Sequence, residues 1–384
     1  MRNFEFKNPV KIIFGEGQIS KLAKEIPTDS RILMTYGGGS IKKNGVYKQT
    51  IEALDGYTVF EFGGIEANPD YDTLMKAVEV CKKNNITYIL AVGGGSVIDG
   101  SKFISAAAFY EGDCWDMVVN RRNIFKAIPL ATILTLPATA SEMNEGAVIS
   151  RRELKEKFAF SNPLLFPKFS ILDPTVIYSL PKKQIANGIV DTFAHILEQY
   201  LTTTDHYMVT DRLAEGILKN LIDLAPNLLS KDELNYNDCA NYMLSATLGL
   251  NGWTAMGAMQ DWATHLIGHE LTALTGLDHG ETLAIVYPGT MKVMCSEKKG
   301  KLLQYASRVW NIVGESDEEI IEEVISKTEE FFNLLGIKTH LSEKDIEKSV
   351  IDIIVNRFEE RKINIGEKGI VTPKHIRMIL ESQY

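Results

Sequence analysis

Paired cysteines, long apolar runs and an excess of positive charge are all missing from this chain of 384 residues. Its four cysteines, Cys81, Cys114, Cys239 and Cys295, lie far apart with no CxxC pair. Neither a disulfide framework nor a zinc ribbon is indicated, and four reduced, mainly packing thiols are expected. No stretch reaches the ~18 consecutive apolar residues of a membrane-spanning helix. The opening MRNFEF mixes Arg2 and Glu5 with no apolar core, so no secretion signal is read there and a cytoplasmic protein is expected. A formal net charge of -9 argues against a nucleic-acid partner, because such proteins concentrate positive charge to displace phosphate counterions. The short basic patch Arg121-Arg122 reads as solvated surface. Internal repeats and low-complexity tracts are absent too, and the LTTTDH segment (201–206) is too short to link domains.

What the chain does have is an ordinary globular composition, 45% apolar, and length enough for two domains with separate cores. Short β-branched runs alternate with amphipathic stretches over the first part, the pattern of βαβ units on a mostly parallel sheet. RILMTYG (31–37), TVFEF (58–62), YILAVGG (88–94) and PLATILTLP (129–137) are the expected strands, with crossover helices near 44–55, 70–84 and 96–109. The apolar IIF (12–14) reads as a further short strand with no obvious partner in that series, and is a candidate for edge pairing between two copies in a homodimer. Beyond Asp173-Pro174 long segments of helical period take over, punctuated by Pro174 and Pro181. The expected organisation is a dinucleotide-binding α/β domain at 1–178 and an all-helical domain at 179–384.

Two of the strands end in Gly-Gly-Gly-Ser, at Gly37-Gly38-Gly39-Ser40 and at Gly93-Gly94-Gly95-Ser96. A strand that runs through glycines into a helix lets backbone approach a phosphate, and the N–H groups and dipole of the helix N-terminus hold the charge. Neither turn matches GxGxxG, and such clusters are also ordinary tight turns. In dinucleotide-binding folds an acidic residue near the ribose selects NAD by accepting from the 2′-OH and repelling a 2′-phosphate. No Asp or Glu occurs from Arg31 through Tyr47, and the first turn offers Ser40, Lys42 and Lys43 instead. That chemistry suits NADP(H).

In the second part, IANGIVDTFAHILEQY places Asp191 and His195 four residues apart on one helical face, where both can reach a single ion. His265 and His269 repeat the spacing in DWATHLIGHEL, and His279 follows in GLDHGET, where a glycine-bounded loop enters another helix. A helix-surface pair and core histidines with satisfied hydrogen bonds are the plain alternative. Apolar neighbours such as Val190, Phe193, Ala263 and Leu266 nevertheless argue for burial, which obliges these groups to find partners. Imidazoles with one carboxylate suit a divalent first-row metal and not magnesium or calcium; Zn2+ and Fe2+ both fit.

Taken together, NPVKIIFGEGQI (8–19), YGGGSIKKNGVY (36–47), FGGIEANP (62–69), AVGGGSVIDGSKF (91–103), LTLPATASEMN (134–144), LPKKQIANGIVDTFAHILEQY (180–200) and QDWATHLIGHELTALTGLDHGETLAI (260–285) resemble the iron-containing (group III) alcohol dehydrogenase family. The likeness extends over essentially the whole chain and is strongest to the NADPH-dependent aldehyde reductase and butanol dehydrogenase branch. It implies a doubly wound nucleotide-binding domain followed by an all-α domain, the architecture shared with dehydroquinate synthase, with cofactor and metal in the cleft between them. It further implies Asp191, His195, His265 and His279 as metal ligands, and His269 as a catalytic residue turned toward nicotinamide and substrate. Gly94, Gly95, Ser96 and Asp99 would hold the pyrophosphate and nearby groups, and Gly37, Gly38 and Ser40 would flank the 2′-phosphate. Thr135, Thr139 and Ser141 would line the cofactor site, with Lys157 approaching ribose or phosphate. Many members carry Gly where this chain has Ala140.

The expected function is interconversion of small primary alcohols and aldehydes with NADP(H), one divalent metal acting as Lewis acid on the substrate oxygen. A lyase resembling dehydroquinate synthase would need several more Lys and Arg residues around the metal, whereas Phe193, Trp253, Met256, Trp262 and Leu266 lie in the ligand-bearing segments and favour small neutral substrates. A protein that binds nucleotide only structurally explains neither the carboxylate nor the histidines.

Overall fold

The computed structural model describes residues 1–120, 123–203, 207–230 and 233–384. The Arg121-Arg122 patch and the 204–206 part of LTTTDH lie outside the described residues. The chain divides into two compact units. One comprises Lys7–Pro181 with Glu233–Thr247, and the other Met1–Phe6, Lys182–Asp232 and Leu248–Tyr384.

The first unit is built on a six-stranded sheet of β1 (Lys11–Phe14), β2 (Arg31–Tyr36), β3 (Thr58–Phe62), β4 (Tyr88–Gly94), β5 (Leu130–Leu136) and β8 (Phe169–Leu172), in the order β1-β8-β5-β4-β2-β3. Every pairing in it is parallel. β4 and β5 are buried nearly end to end, as a parallel sheet covered by crossover helices requires. Those helices are α1 (Leu22–Glu25), α2 (Val46–Ala53), α3 (Tyr71–Lys83), α4 (Gly95–Ala107) and α5 (Trp115–Val119). The IIF strand does have a partner, and it is a long-range one: β1 pairs with β8, a strand that alternation along the chain does not announce. β6 (Gly146–Arg151) and β7 (Glu156–Ser161) form a separate antiparallel hairpin. Strand order proceeds in opposite directions from β4, toward β2 and β3 on one side and β5 and β8 on the other. In such sheets ligands bind beyond the carboxyl ends of the strands at that reversal, and both glycine turns lie there.

The second unit is helical, with α6 (Lys182–Tyr200), α7 (Met208–Leu229), the end of α8 (Tyr236–Gly249), α9 (Ala263–Thr275), α10 (His279–Val293), α11 (Lys299–Val309), α12 (Asp317–Leu334), α13 (Ser349–Glu360) and α14 (Pro373–Glu381). Ile267 and Leu271 of α9, Ile285 and Val286 of α10, Ile354 and Phe358 of α13, and Ile376 and Ile379 of α14 form one buried cluster. Residues 1–6, which the sequence joins to the nucleotide-binding part, group with this unit: Arg2 donates its backbone N–H to Gly257 O at 2.9 Å, and the Phe6 ring lies edge-on to Trp253.

Two glycines set how closely α10 packs. A Cβ on Gly280 would lie 2.6 Å from the carbonyl oxygen of Asn187 and 2.9 Å from its Cα, so the first turn of α10 rests on the backbone of α6. A Cβ on Gly268 of α9 would be 3.1 Å from Thr282 Oγ1 and 3.3 Å from Leu283 Cδ2 of α10. Because backbone cannot yield as a side chain can, Gly280→Ala is expected to lower stability by about 1 to 3 kcal/mol, the usual cost of overpacking. Gly38→Ala, whose Cβ meets nothing within 4 Å, should leave the urea unfolding midpoint in place. Equal midpoints for wild type and Gly280→Ala would contradict this packing.

Candidate metal centre and cofactor turns

Asp191 and His195 stand one turn apart on α6; α9 brings His265 and His269 to them, and α10 begins with His279. The hub is a single atom. Asp191 Oδ1 lies 3.5 Å from His195 Nδ1, 3.7 Å from His279 Nε2 and 4.0 Å from His265 Nε2. Asp191, His195 and His265 are buried, and one ligand atom from each falls within 4.8 Å of the others. The His195 and His265 rings stack with centroids 4.5 Å apart, and the His279 ring is 5.3 Å from that of His265. The four side chains expected as ligands are thus gathered inside one unit. His269 is buried beside them, its ring 5.2 Å from His279 and 6.4 Å from His265.

The donor set fits a divalent ion. Burial pushes the pKa of His195 down to about 4, against the pull of Asp191, so its imidazole is neutral at pH 7 and carries a lone pair. His195 Nδ1 is buried and makes no hydrogen bond among the described residues. Three imidazoles around one carboxylate oxygen form a nitrogen-rich site of the kind zinc and ferrous iron take.

A fifth residue supports this arrangement and was not found by sequence reasoning. Glu198 Oε1 accepts the backbone N–H of His265 at 3.0 Å and lies 3.2 Å from His265 Nδ1, while Oε2 accepts the backbone N–H of Trp262 at 3.1 Å. Holding Nδ1 in this way turns Nε2 of His265 toward Asp191, the usual part of an outer carboxylate. Burial, reinforced by Asp261, pushes the Glu198 carboxyl up to about 8. The available signal was spacing, since Glu198 follows His195 by three positions on one face of α6. Trp262 itself has φ 65°, a left-handed conformation costly for a bulky residue. Its ring stands edge-on to His195 and His265, with centroids at 6.0 and 5.1 Å. The apolar surround expected from sequence is narrower than supposed. Phe193 turns away to pack on Phe331 and Phe332, and Trp253 and Leu266 are exposed, leaving Trp262 as the one of those residues in ring contact with the histidines.

The two glycine turns are neighbours, because β2 and β4 pair in parallel with Tyr36 opposite Val92. A Cβ on Gly37 would meet Val97 of α4 at 3.6 Å. At the end of β4, a Cβ on Gly94 would sit 2.9 Å from Leu136 Cβ and one on Gly95 2.5 Å from Thr139, so bare backbone leads into the N-terminus of α4. Ser96 Oγ accepts the N–H of Asn68 at 3.2 Å, and Lys157 of β7 donates to Asn68 Oδ1 at 2.8 Å. Thr135 is buried on β5, and Thr139 Oγ1 accepts the N–H of Ser141 at 3.1 Å.

Asp99 and Ser141 belong to a buried network. Ser141 Oγ donates to Asp99 Oδ1 at 2.5 Å, and Asp99 Oδ2 accepts the N–H of Val148 at 2.9 Å. Lys102, also missed in the sequence, donates to Ser141 Oγ at 2.8 Å, Asn144 Oδ1 at 3.1 Å and Gly146 O at 2.6 Å. Burial raises the Asp99 carboxyl and lowers Lys102 to about 8. Ala140 has the left-handed conformation at φ 52°, just before this turn. At the first turn Gly38 and Ser40 are exposed, and a Cβ on Gly38 would meet nothing within 4 Å.

Comparison with known proteins agrees over the full length. Residues 9–174 match the profile of the iron-containing alcohol dehydrogenases, and residues 185–384 that of the C-terminal part of the same family. The NADPH-dependent aldehyde reductase YqhD of Escherichia coli is 48% identical, with 100% of each chain covered. A probable NADH-dependent butanol dehydrogenase of Bacillus subtilis is 43% identical over 93% of each chain. A crystal structure of E. coli YqhD superposes with a TM-score of 0.98 at 48% identity, covering 100% of this chain and 99% of the other.

Proposed function

Since this chain belongs to the iron-containing alcohol dehydrogenase family, we propose that it is an NADP(H)- and metal-dependent oxidoreductase that interconverts small aldehydes and primary alcohols. The observation that carries the reading is the convergence of three imidazoles on one buried carboxylate oxygen. When bound, a divalent ion supplies Lewis-acid polarisation of the substrate oxygen and NADPH supplies the hydride.

Asp191, His195, His265 and His279 are the residues that would hold Fe2+ or Zn2+. Glu198 keeps the His265 ring in register. Reduction adds a hydride to the carbonyl carbon and one proton to the carbonyl oxygen, converting NADPH to NADP+. His269, packed against a ligand without being one, is the group we assign to moving that proton. On the cofactor side, Gly94, Gly95 and Ser96 hold the pyrophosphate at the N-terminus of α4, a 13-residue helix. Gly37, Gly38 and Ser40 face the 2′-phosphate, Thr135 and Thr139 line the cofactor, Lys157 reaches ribose or phosphate, and Asp99 with Ser141 braces the turn from within.

In this reading residues 1–178 bind the dinucleotide and 179–384 the metal. A cytoplasmic homodimer is part of the same proposal. No described helix is long and apolar enough to cross a membrane, and β1 is an edge strand whose outer backbone groups suit pairing with a second copy.

His195→Ala should lose bound metal and activity while still binding NADPH. His269→Ala should keep the metal, measured by elemental analysis, and lose turnover. Metal loss in His269→Ala, or full activity without metal in His195→Ala, would overturn the assignment. The wild type should also favour NADPH over NADH in kcat/KM. Gly38→Asp, whose side chain has room, should move that preference toward NADH about tenfold or more, the equivalent of ~1.4 kcal/mol. A preference that stays put would show that this turn does not read the 2′ position.

A further inference from the structure

One of the two lysines that the sequence offers to a 2′-phosphate is already engaged. Lys42 closes the short turn Ser40–Lys42 that follows the first glycine cluster. Its ammonium lies 5.0 Å from the ring centre of Tyr36 and 4.9 Å from that of Tyr47, so two aromatic faces flank it. Glu61, near the end of β3, binds all three groups. Its Oε2 is 3.7 Å from Lys42 Nζ and accepts from the Tyr36 hydroxyl at 3.1 Å, and its Oε1 accepts from the Tyr47 hydroxyl at 2.7 Å. Gly63 completes the cluster, since a Cβ there would occupy the Tyr36 ring. Among the described residues, neighbouring Lys43 makes no ion pair and is exposed.

We propose that Glu61 is a specificity-determining residue that weakens the preference for NADPH by holding Lys42 away from the 2′-phosphate. This rests on the function proposed above. The absence of acidic residues from Arg31 through Tyr47 describes β2 and its turn only; β3 pairs beside it, with Met34 opposite Glu61, and brings a carboxylate to the same end of the sheet. The Glu61–Lys42 pair is close to neutral as a unit. A 2′-phosphate must therefore either draw Lys42 from its carboxylate or rely on Ser40, backbone N–H groups and Lys43. The side chains of Lys42 and Glu61 are 48% and 35% exposed, so the exchange is between partly solvated ions and its scale is modest.

The test is the ratio of dissociation constants for NADH and NADPH, from titration of nicotinamide fluorescence, in wild type, Glu61→Gln, Lys42→Gln and the double variant. Glutamine keeps acceptor and shape while removing the charge. Glu61→Gln should raise the preference for NADPH about fivefold, equivalent to ~1 kcal/mol. Lys42→Gln should lower it, and in that background Glu61→Gln should have much less effect, the non-additivity of a coupled pair. An unchanged or reduced NADPH preference in Glu61→Gln would overturn the proposal, as would equal effects of that change with and without Lys42. Reduction of butanal by the wild type is read separately: its absence counts against the proposed activity, whereas the binding ratios decide the part played by Glu61.

Discussion

A carboxylate buried on a helix in an apolar unit must be matched by positive charge, and the rest of the helical unit answers to that requirement. Asp191 is 4% exposed, and the groups that crowd its Oδ1 are imidazoles, of which His195 is held neutral by burial. The neutral His195 imidazole offers a lone pair beside that carboxylate, the donor pairing that a divalent first-row cation takes. Ion binding and helix packing then become one problem. Gly280 lets α10 touch the backbone of α6, Gly268 lets α9 approach α10, and these contacts help set the distances among Asp191, His195, His265 and His279. Glu198 adds direction, with one carboxyl group spanning the His265 ring, the His265 backbone and the strained Trp262.

The sheet unit solves a different electrostatic problem, the binding of a multiply charged anion, with little formal charge. Bare backbone at Gly94 and Gly95 meets the N-terminus of α4, and a buried lysine of that helix, Lys102, is spent on Ser141, Asn144 and Gly146 instead of facing solvent. The same economy appears at the first turn, where Lys42 is paired with Glu61. Relatives named for NADPH and for NADH stand at 48% and 43% identity. Relatives of similar identity to this chain thus carry different cofactor names, and a partly neutralised lysine is the sort of element that can shift such a preference.

What could be read from the chain was local. β2 through β5 declared themselves through short apolar, β-branched runs, and the i, i+4 pairs Asp191/His195 and His265/His269 through their spacing on helices. What escaped depended on pairing between distant segments. β8 is a four-residue strand whose role lies in joining two distant segments, with β1 on one side and β5 on the other. Glu61 matters because β3 is next to β2, and no window along β2 contains it. Lys102 looks like a surface residue of an amphipathic helix until the turn at 141–146 closes over it. Nor does the sequence around Ala140 disclose its backbone, a left-handed φ of 52° that glycine would adopt without strain.

The measurement that bears most directly on the central claim is X-ray absorption spectroscopy on the purified protein at the iron and zinc edges, with metal stoichiometry determined on the same sample. One ion per chain, ligated by nitrogen and oxygen at about 2.0 to 2.2 Å with no sulfur in the inner shell, is the predicted result. A sulfur ligand at ~2.3 Å, or a protein that takes up no divalent ion when metal is supplied, would contradict an account built on Asp191 and its histidines.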